Sequence, residues 1–318
     1  MQDRAAPDQK IDIVALGEPM VEFNETAAAQ YRQGYGGDTA NFAVAAARQG
    51  ARVAYSTRLG DDKFGRMFMA LWEKEGIDTS SVQIDTHAHT GVYFVSHDEQ
   101  GHHFDYLRAG SAASRMTPAF LDKKMLQSAS YLHVSGISQA ISESACETVF
   151  AAIEIARAAG AVVSYDPNLR LRLWALDQAK ATIEKTIPLA DVFLPSLDEA
   201  QTLSGVEDIP SVLAWCASHG ATKVVLKCGA QGAWVWEKKE EKARHVPAFR
   251  VEPVDATGAG DCFDGALIAR LAAGDSLLDA TRYANVAAAI STTGYGAVAP
   301  IPDQGRVLVH IVETLLVE

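Results

Sequence analysis

The chain has 318 residues, 48% of them apolar and 21% charged, an ordinary globular balance that excludes a fibre or a disordered polymer. A chain of this length buries a core without disulfide or metal staples. Its 28 Lys and Arg against 40 Asp and Glu leave a formal charge of −12, a poor match for nucleic acid or an anionic membrane, so any anionic ligand needs a local concentration of donors.

Short apolar runs alternate with helix-period stretches for most of the chain. Ile11–Leu16 reads as a strand ending at Gly17, Thr39–Arg48 as a helix with Gly50 at its C′ position, and Arg52–Leu59 as a strand. Phe64–Lys74 is an amphipathic helix closed by Gly76. Further strands are expected at Tyr131–Val134, Ala161–Tyr165, Val192–Leu194 and Val224–Leu226, separated by helices at Ser144–Ala159, Gln178–Ile187 and Val212–Ser218. This alternation predicts an α/β fold with a parallel sheet covered on both faces. Met20–Gln33 and Val82–Leu107 break the rhythm. They read as antiparallel strands, with a turn at Asp98–Gly101, and predict a small second sheet, either a lid over a site or an extension of the main sheet. The last third is helical at Asp261–Ala273, Leu277–Thr292 and Gln304–Val317.

No run of 18 apolar residues occurs, so no transmembrane helix is expected. Met1–Lys10 is polar and reads as a mobile tail, not a secretory signal. Cys146, Cys216, Cys228 and Cys262 show no CxxC or zinc-finger spacing, so reduced thiols in a cytoplasm are the simplest reading.

The strongest chemical signal is Asp255-Ala256-Thr257-Gly258-Ala259-Gly260-Asp261, followed by an apolar helix face at Phe263, Ala266, Leu267 and Leu271. Small residues just before a helix let a backbone approach an anion, which free N–H groups and the helix dipole then hold. Asp261 could cap the helix or accept a proton from a hydroxyl lying beside that anion. A second acid, Asp264, follows. There is no GxxxxGK[ST] loop, and no GxGxxG opens the first βα unit. A second glycine-rich helix entry, Gly34–Asn41, places Asn41 one turn after Gly37, where its amide can donate to and accept from a polyol. Tyr165–Arg170 lies at a strand's C-terminal end, where open parallel sheets bind ligands, so Arg170 is placed to meet an anion. Tyr106 and Arg108 share one strand face, and an arginine can grip a carboxylate with two parallel bonds. His87, His89, His102 and His103 carry no HExxH pattern, and no structural metal is expected.

At these residues the sequence resembles the ribokinase-like (PfkB) carbohydrate kinases, from Ile11 to about Pro302. Both family signatures are present: the Gly36-Gly37…Asn41 helix entry, and Asp255–Asp261 with Gly265-Ala266 after it. Gly60-Asp61-Asp62-Lys63-Phe64-Gly65 resembles the family's GDDxxG turn. Within the family, Gly17–Glu22, Tyr106–Ala112, Asp166–Arg170 and Leu194–Glu199 are most similar to 2-keto-3-deoxygluconate kinases. The resemblance implies a three-layer α/β/α ribokinase-like fold over residues 11–318, with a mostly parallel central sheet and a β lid drawn from about 20–33 and 82–107. It further implies ATP with Mg2+ as phosphoryl donor, a monovalent cation such as K+ near Asp255–Thr257, and a homo-oligomer formed through the lid.

The resemblance also implies roles. Asp261 is expected to be the base, in a catalytic loop with Gly258, Ala259 and Gly260, and backbone N–H groups of Ala259, Gly260 and Asp261 are expected to stabilise charge on the phosphoryl oxygens. Gly37, Asn41, Tyr93, Tyr106, Arg108 and Arg170 are expected to hold the sugar acid, the arginines through its carboxylate or a phosphate. Ser196, Lys227, Gly229, Gly258 and Asn285 are expected at the nucleotide, with Glu199 in the outer shell of magnesium. Ser196 replaces the Asn of the family's more usual NxxE. The expected reaction phosphorylates the 6-hydroxyl of 2-keto-3-deoxygluconate. Fructokinase is the alternative, since a neutral ketose does not need the Arg108 clamp; a non-catalytic sugar-binding regulator is the more distant one.

Overall fold

The computed structural model describes residues 10–27, 30–98, 101–240 and 242–317. Residues 1–9 of the expected tail, and Glu99 and Gln100 of the expected turn, lie outside the described residues. In chain order the first strands are β1 (Ile13–Leu16), β2 (Met20–Ala27), β3 (Gln30–Gly36), β4 (Val53–Gly60), β5 (Val82–Asp85), β6 (Gly91–Asp98) and β7 (Gly101–Leu107). They are followed by β8 (Tyr131–Ser135), β9 (Val162–Asp166), β10 (Val192–Phe193), β11 (Lys223–Lys227), β12 (Ala233–Glu237) and β13 (Arg244–Val246). The helices are α1 (Asp38–Arg48), α2 (Lys63–Glu75), α3 (Lys123–Ser128), α4 (Gly136–Ala140), α5 (Glu143–Ala158) and α6 (Leu176–Thr186). Then come α7 (Leu197–Ser204), α8 (Ile209–Ser218), α9 (Ala259–Ala272), α10 (Leu277–Ser291) and α11 (Gln304–Val317).

Nine strands form the main sheet in the order β13-β12-β11-β10-β9-β8-β1-β4-β5. From β11 to β5 every neighbouring pair is parallel, and β12 and β13 add antiparallel pairs at one edge. Period-2 alternation explains the layering. Ile13 and Ala15 of β1 point into one core with α1, α2, α9 and α10, whereas Val14 and Leu16 point into the other with α5, α6, α7 and α8. Strand order reverses between β1 and β8, so the carboxyl ends of β1, β8, β9 and β11 border one crevice, the usual place for a ligand in such sheets.

The second sheet has the order β3-β2-β6-β7. Two expectations change here. Val82–Asp85 does not join it; it pairs in parallel with β4, Thr57 opposite Val82, as the edge of the main sheet. And β2 and β6 run parallel, Met20 opposite Gly91, while β2–β3 and β6–β7 are antiparallel. The cause is the exit point: β2 follows β1 and β6 follows β5, so both leave the same edge of the main sheet in the same direction. One face of this sheet packs Phe23 and Phe94 against each other and Phe23 against Phe64 of α2. The other presents Met20, Tyr93, Phe104 and Tyr106 to the crevice. Among the described residues no helix is long and apolar enough to cross a membrane.

Helix α9 lies against α1 at backbone range. A Cβ on Gly265 would come within 2.5 Å of the Phe42 carbonyl oxygen and 2.7 Å of the Ala45 Cβ. Gly265→Ala must therefore push two buried helices apart, an overpacking that costs about 1–3 kcal/mol. Urea unfolding should show the midpoint falling accordingly; an unchanged midpoint would mean the helices are not in close contact.

Candidate active site

A cleft of about 1070 Å³ opens along the carboxyl ends of the main-sheet strands and under the second sheet. Its floor is the start of α9. Gly258 adopts φ +73° there, and a Cβ at this position would also sit 2.9 Å from that of Ala297. The Ala259 N–H already donates to the Ala256 carbonyl at 3.1 Å, so it is not available as an anion donor, contrary to expectation. Among the described residues the N–H groups of Gly260 and Asp261 have no acceptor, as expected of groups that a helix start leaves open. The Asp255 carboxylate holds the preceding turn, accepting from Thr257 N at 2.9 Å and from Gly296 N at 2.8 Å.

Opposite stands the start of α1. Gly37 has φ +94°, and a Cβ there would lie 2.4 Å from the Glu18 carbonyl oxygen, which explains its glycine. Four residues on, Asn41 Nδ2 donates to Asp261 Oδ2 at 2.8 Å. Asp261 keeps some contact with the cleft. Burial nevertheless pushes its pKa up to about 7, the Asp38 carboxylate adds to the push, and the Asn41 amide opposes it. Asp38 is raised too, first by burial. Its Oδ2 accepts from Asn168 Nδ2 at 3.2 Å, while Asp38 Oδ1 and Asn41 Oδ1 are buried with no partner among the described residues.

Behind this wall Lys227 Nζ reaches Asp264 at 2.8 Å and Asp166 at 3.0 Å. Burial alone would discharge the ammonium, but the two carboxylates outweigh it and hold its pKa above the usual lysine range. For Asp166 burial pushes upward, and the neighbouring Lys227 charge overrides it to leave a carboxylate below its usual range. Asp264 goes the other way: burial, helped by Asp166, pushes it well above that range although Lys227 opposes. Asp264 Oδ1 is buried with no hydrogen-bond partner among the described residues.

The other wall holds Arg108. Its Nε donates to Glu18 Oε2 at 2.9 Å and its Nη2 to the same carboxylate, whose Oε1 also accepts from Ser111 Oγ. Arg170 Nη1 donates to its own neighbour's carbonyl, Leu169 O, at 3.0 Å and lies 3.5 Å from Glu199. Arg172 Nη1 donates to Phe104 O of β7 at 2.6 Å. The Tyr93 hydroxyl donates to Glu22 Oε2 at 2.6 Å. Glu199 accepts from Ser196 N at 3.0 Å and from Leu169 N at 2.9 Å, so it ties α7 to the loop after β9.

Every expected site residue lines this cleft except Asn285. Asn285 sits behind it on α10, its amide donating to the carbonyls of Val246 at 3.2 Å and Pro247 at 3.0 Å, and so fastens the chain after β13. Among the described residues no group of three or more His, Cys, Asp or Glu is arranged to hold a metal ion. Glu18, Asp38, Asp166 and Asn168 were not singled out from sequence. Glu18 and Asp166 stand at or just beyond the ends of buried strands, and that placement is the signal that marks them.

The fold agrees with the comparisons. The model of the pfkB family of carbohydrate kinases matches residues 10–304, and the chain belongs to that family. Fructokinase-1 of Zea mays is 33% identical over 313 residues, covering 93% of this chain and 96% of that protein. A fructokinase from Vibrio cholerae O395, solved with fructose, ADP and calcium ion, is 31% identical with a TM-score of 0.87, covering 95% of this chain and 99% of the other. A putative ribokinase II from E. coli in complex with ATP and Mg2+ is 26% identical, also at 0.87, with coverage of 95% and 99%.

A raised carboxyl pKa opposes folding once the group ionises. For Asp261 the folded value is about 7 against an ordinary 3.8, so its stabilising contribution is complete below 3.8 and is lost as pH rises through about 7. Asp261→Asn removes this loss and keeps an acceptor for Asn41. Its urea midpoint should gain on wild type between pH 5 and pH 8; a constant difference would mean that Asp261 titrates normally.

Proposed function

We propose that the protein transfers the γ-phosphoryl group of ATP to a primary hydroxyl of a neutral ketohexose, with fructose as the acceptor. One observation carries the choice of a neutral sugar: Arg108, the cleft arginine expected to meet a sugar carboxylate, is already paired with the buried Glu18 carboxylate. The sugar-acid expectation requires Arg108 to bring a net positive charge to a carboxylate, and its Nε and Nη2 are already paired with the buried Glu18 carboxylate. The floor beyond it carries Asp38, Asp166, Asp261 and Asp264 against a single Lys227, a setting unfavourable to a second anionic group on the sugar. The fructokinase relatives support the same reading.

The residues fit a nucleotide phosphate. Open N–H groups at Gly260 and Asp261 face the cleft, and the Lys227 ammonium lies 3.8 Å from where a Cβ on Gly260 would be. Ser196 and Gly229 line the same end. Mg2+ travels with phosphates and waters more often than in an all-protein cage, which suits a cleft with no three-ligand cluster among the described residues. When bound, it supplies positive charge to the phosphates. A monovalent cation beside the Asp255–Thr257 turn belongs to the same proposal; a double mutant of the Vibrio cholerae O395 fructokinase was solved in a potassium-bound form.

Asp261 then accepts the proton of the sugar's primary hydroxyl as that oxygen attacks the γ-phosphorus and the bond to ADP breaks. The amide of Asn41 fixes the receiving carboxylate, and the Gly260 and Asp261 N–H groups donate to the phosphoryl oxygens as charge spreads over them. The second sheet acts as a lid, laying Met20, Tyr93, Phe104 and Tyr106 over the sugar.

With ATP supplied, fructose should be turned over with a higher kcat/KM than 2-keto-3-deoxygluconate; the opposite order would restore the sugar-acid reading, and no turnover of any sugar would favour a binding protein. Asp261→Asn should lower kcat by about 10²–10⁴, the worth of a positioned general base. For wild type, kcat/KM should rise with pH through about 7, where Asp261 loses its proton; a profile flat from pH 5.5 to 8 would remove Asp261 as the base.

A further inference from the structure

We propose that Glu18 sets the charge preference of the cleft by neutralising Arg108, so that removing its charge shifts the enzyme toward sugar acids. The inference rests on the reading that the cleft takes a ketohexose or its acid relative. Both residues line the cleft, yet they are held differently. The Glu18 side chain is 0% exposed and Arg108 is 10% exposed, so the cleft meets the arginine and not the carboxylate. Glu18 has both oxygens bonded, to Arg108 through Oε2 and to Ser111 through Oε1. It also packs against Gly91 of β6, where a Cβ would come within 2.8 Å of Oε1.

Arg108 Nη1 has no hydrogen-bond partner among the described residues, and the guanidinium lies 5.7 Å from the centre of the Tyr106 ring. A guanidinium in this state offers a hydroxyl or carbonyl a neutralised donor. It offers a carboxylate an edge without a net charge, because the buried Glu18 carboxylate behind it cancels the field. Glu18 is thus a specificity residue that acts through Arg108 without touching the sugar. Glu18→Gln keeps an acceptor for the guanidinium and a partner for Ser111 while uncovering one positive charge at the cleft wall.

The test is a four-enzyme cycle: wild type, Glu18→Gln, Arg108→Met and the double variant. Each is assayed for kcat/KM with fructose and with 2-keto-3-deoxygluconate; where acid turnover is too slow, the acid's inhibition constant against fructose replaces it. Glu18→Gln should raise the acid-to-neutral ratio by about tenfold or more, the scale of one charge a few ångströms away in a partly shielded site. Arg108→Met should lower it by a similar factor, and the double variant should return it close to wild type. A ratio within about twofold of wild type in Glu18→Gln overturns the proposal. Should that variant not fold, an unchanged ratio in Arg108→Met overturns it equally. The wild-type preference between the two sugars tests the proposed acceptor separately, because the inference concerns only the change in the ratio.

Discussion

The contact of α9 with α1 decides where the rest of the cleft can be. Asn41 and Asp261 are 220 positions apart, and their 2.8 Å hydrogen bond exists only because the two helices touch with a bare Cα at Gly265 facing the Phe42 carbonyl. That contact lies in the apolar core on one face of the main sheet, where Ala45, Ala46, Ala266 and Ala269 are almost fully buried. Small residues there allow the close approach. The helix start that emerges from it carries two open N–H groups and one carboxylate toward the same space, so an anion and a hydroxyl can be met side by side.

Burial then determines which acid carries a proton. Four aspartates and one lysine share a small volume, and they cannot all be charged. The Lys227 charge holds Asp166 below its usual range, while burial pushes Asp264 well above it. Asp261, farther out and in touch with the cleft, falls between these extremes near neutrality. A base that titrates near working pH needs this intermediate environment: deeper burial would keep it protonated, and open solvent would leave it too weak to take a hydroxyl proton. On the opposite wall the Glu18–Arg108 pair is internally neutral, so the cleft as a whole is acidic toward its sugar.

Much of this was legible in the sequence, and the reasons differ by element. The strands of the main sheet are apolar runs buried on both faces, and Ile13–Leu16 and Val162–Asp166 stand out for that reason. Val82–Asp85 does not, because an edge strand with exposed Gln83 and Ile84 has the same alternation as a strand of a small outer sheet. The parallel pairing of β2 with β6 was hidden as well, since strand direction depends on where the chain leaves the main sheet. Asp261, Asn41 and the glycines were found through local motifs. The commitment of Arg108 was not, because its partner lies 90 positions away. Asn285 was placed by motif position alone, and only packing reveals that its amide belongs to Val246 and Pro247.

The central claim is that the fold holds one carboxyl group at the cleft floor poised near neutrality. A carbon-13 NMR titration of Asp-labelled protein tests it most directly, with Asp261→Asn identifying the resonance. The account predicts a side-chain carboxyl signal, absent from the variant, that titrates with a midpoint of about 7. A signal assigned to Asp261 that titrates near the ordinary aspartate value of about 4 would contradict it.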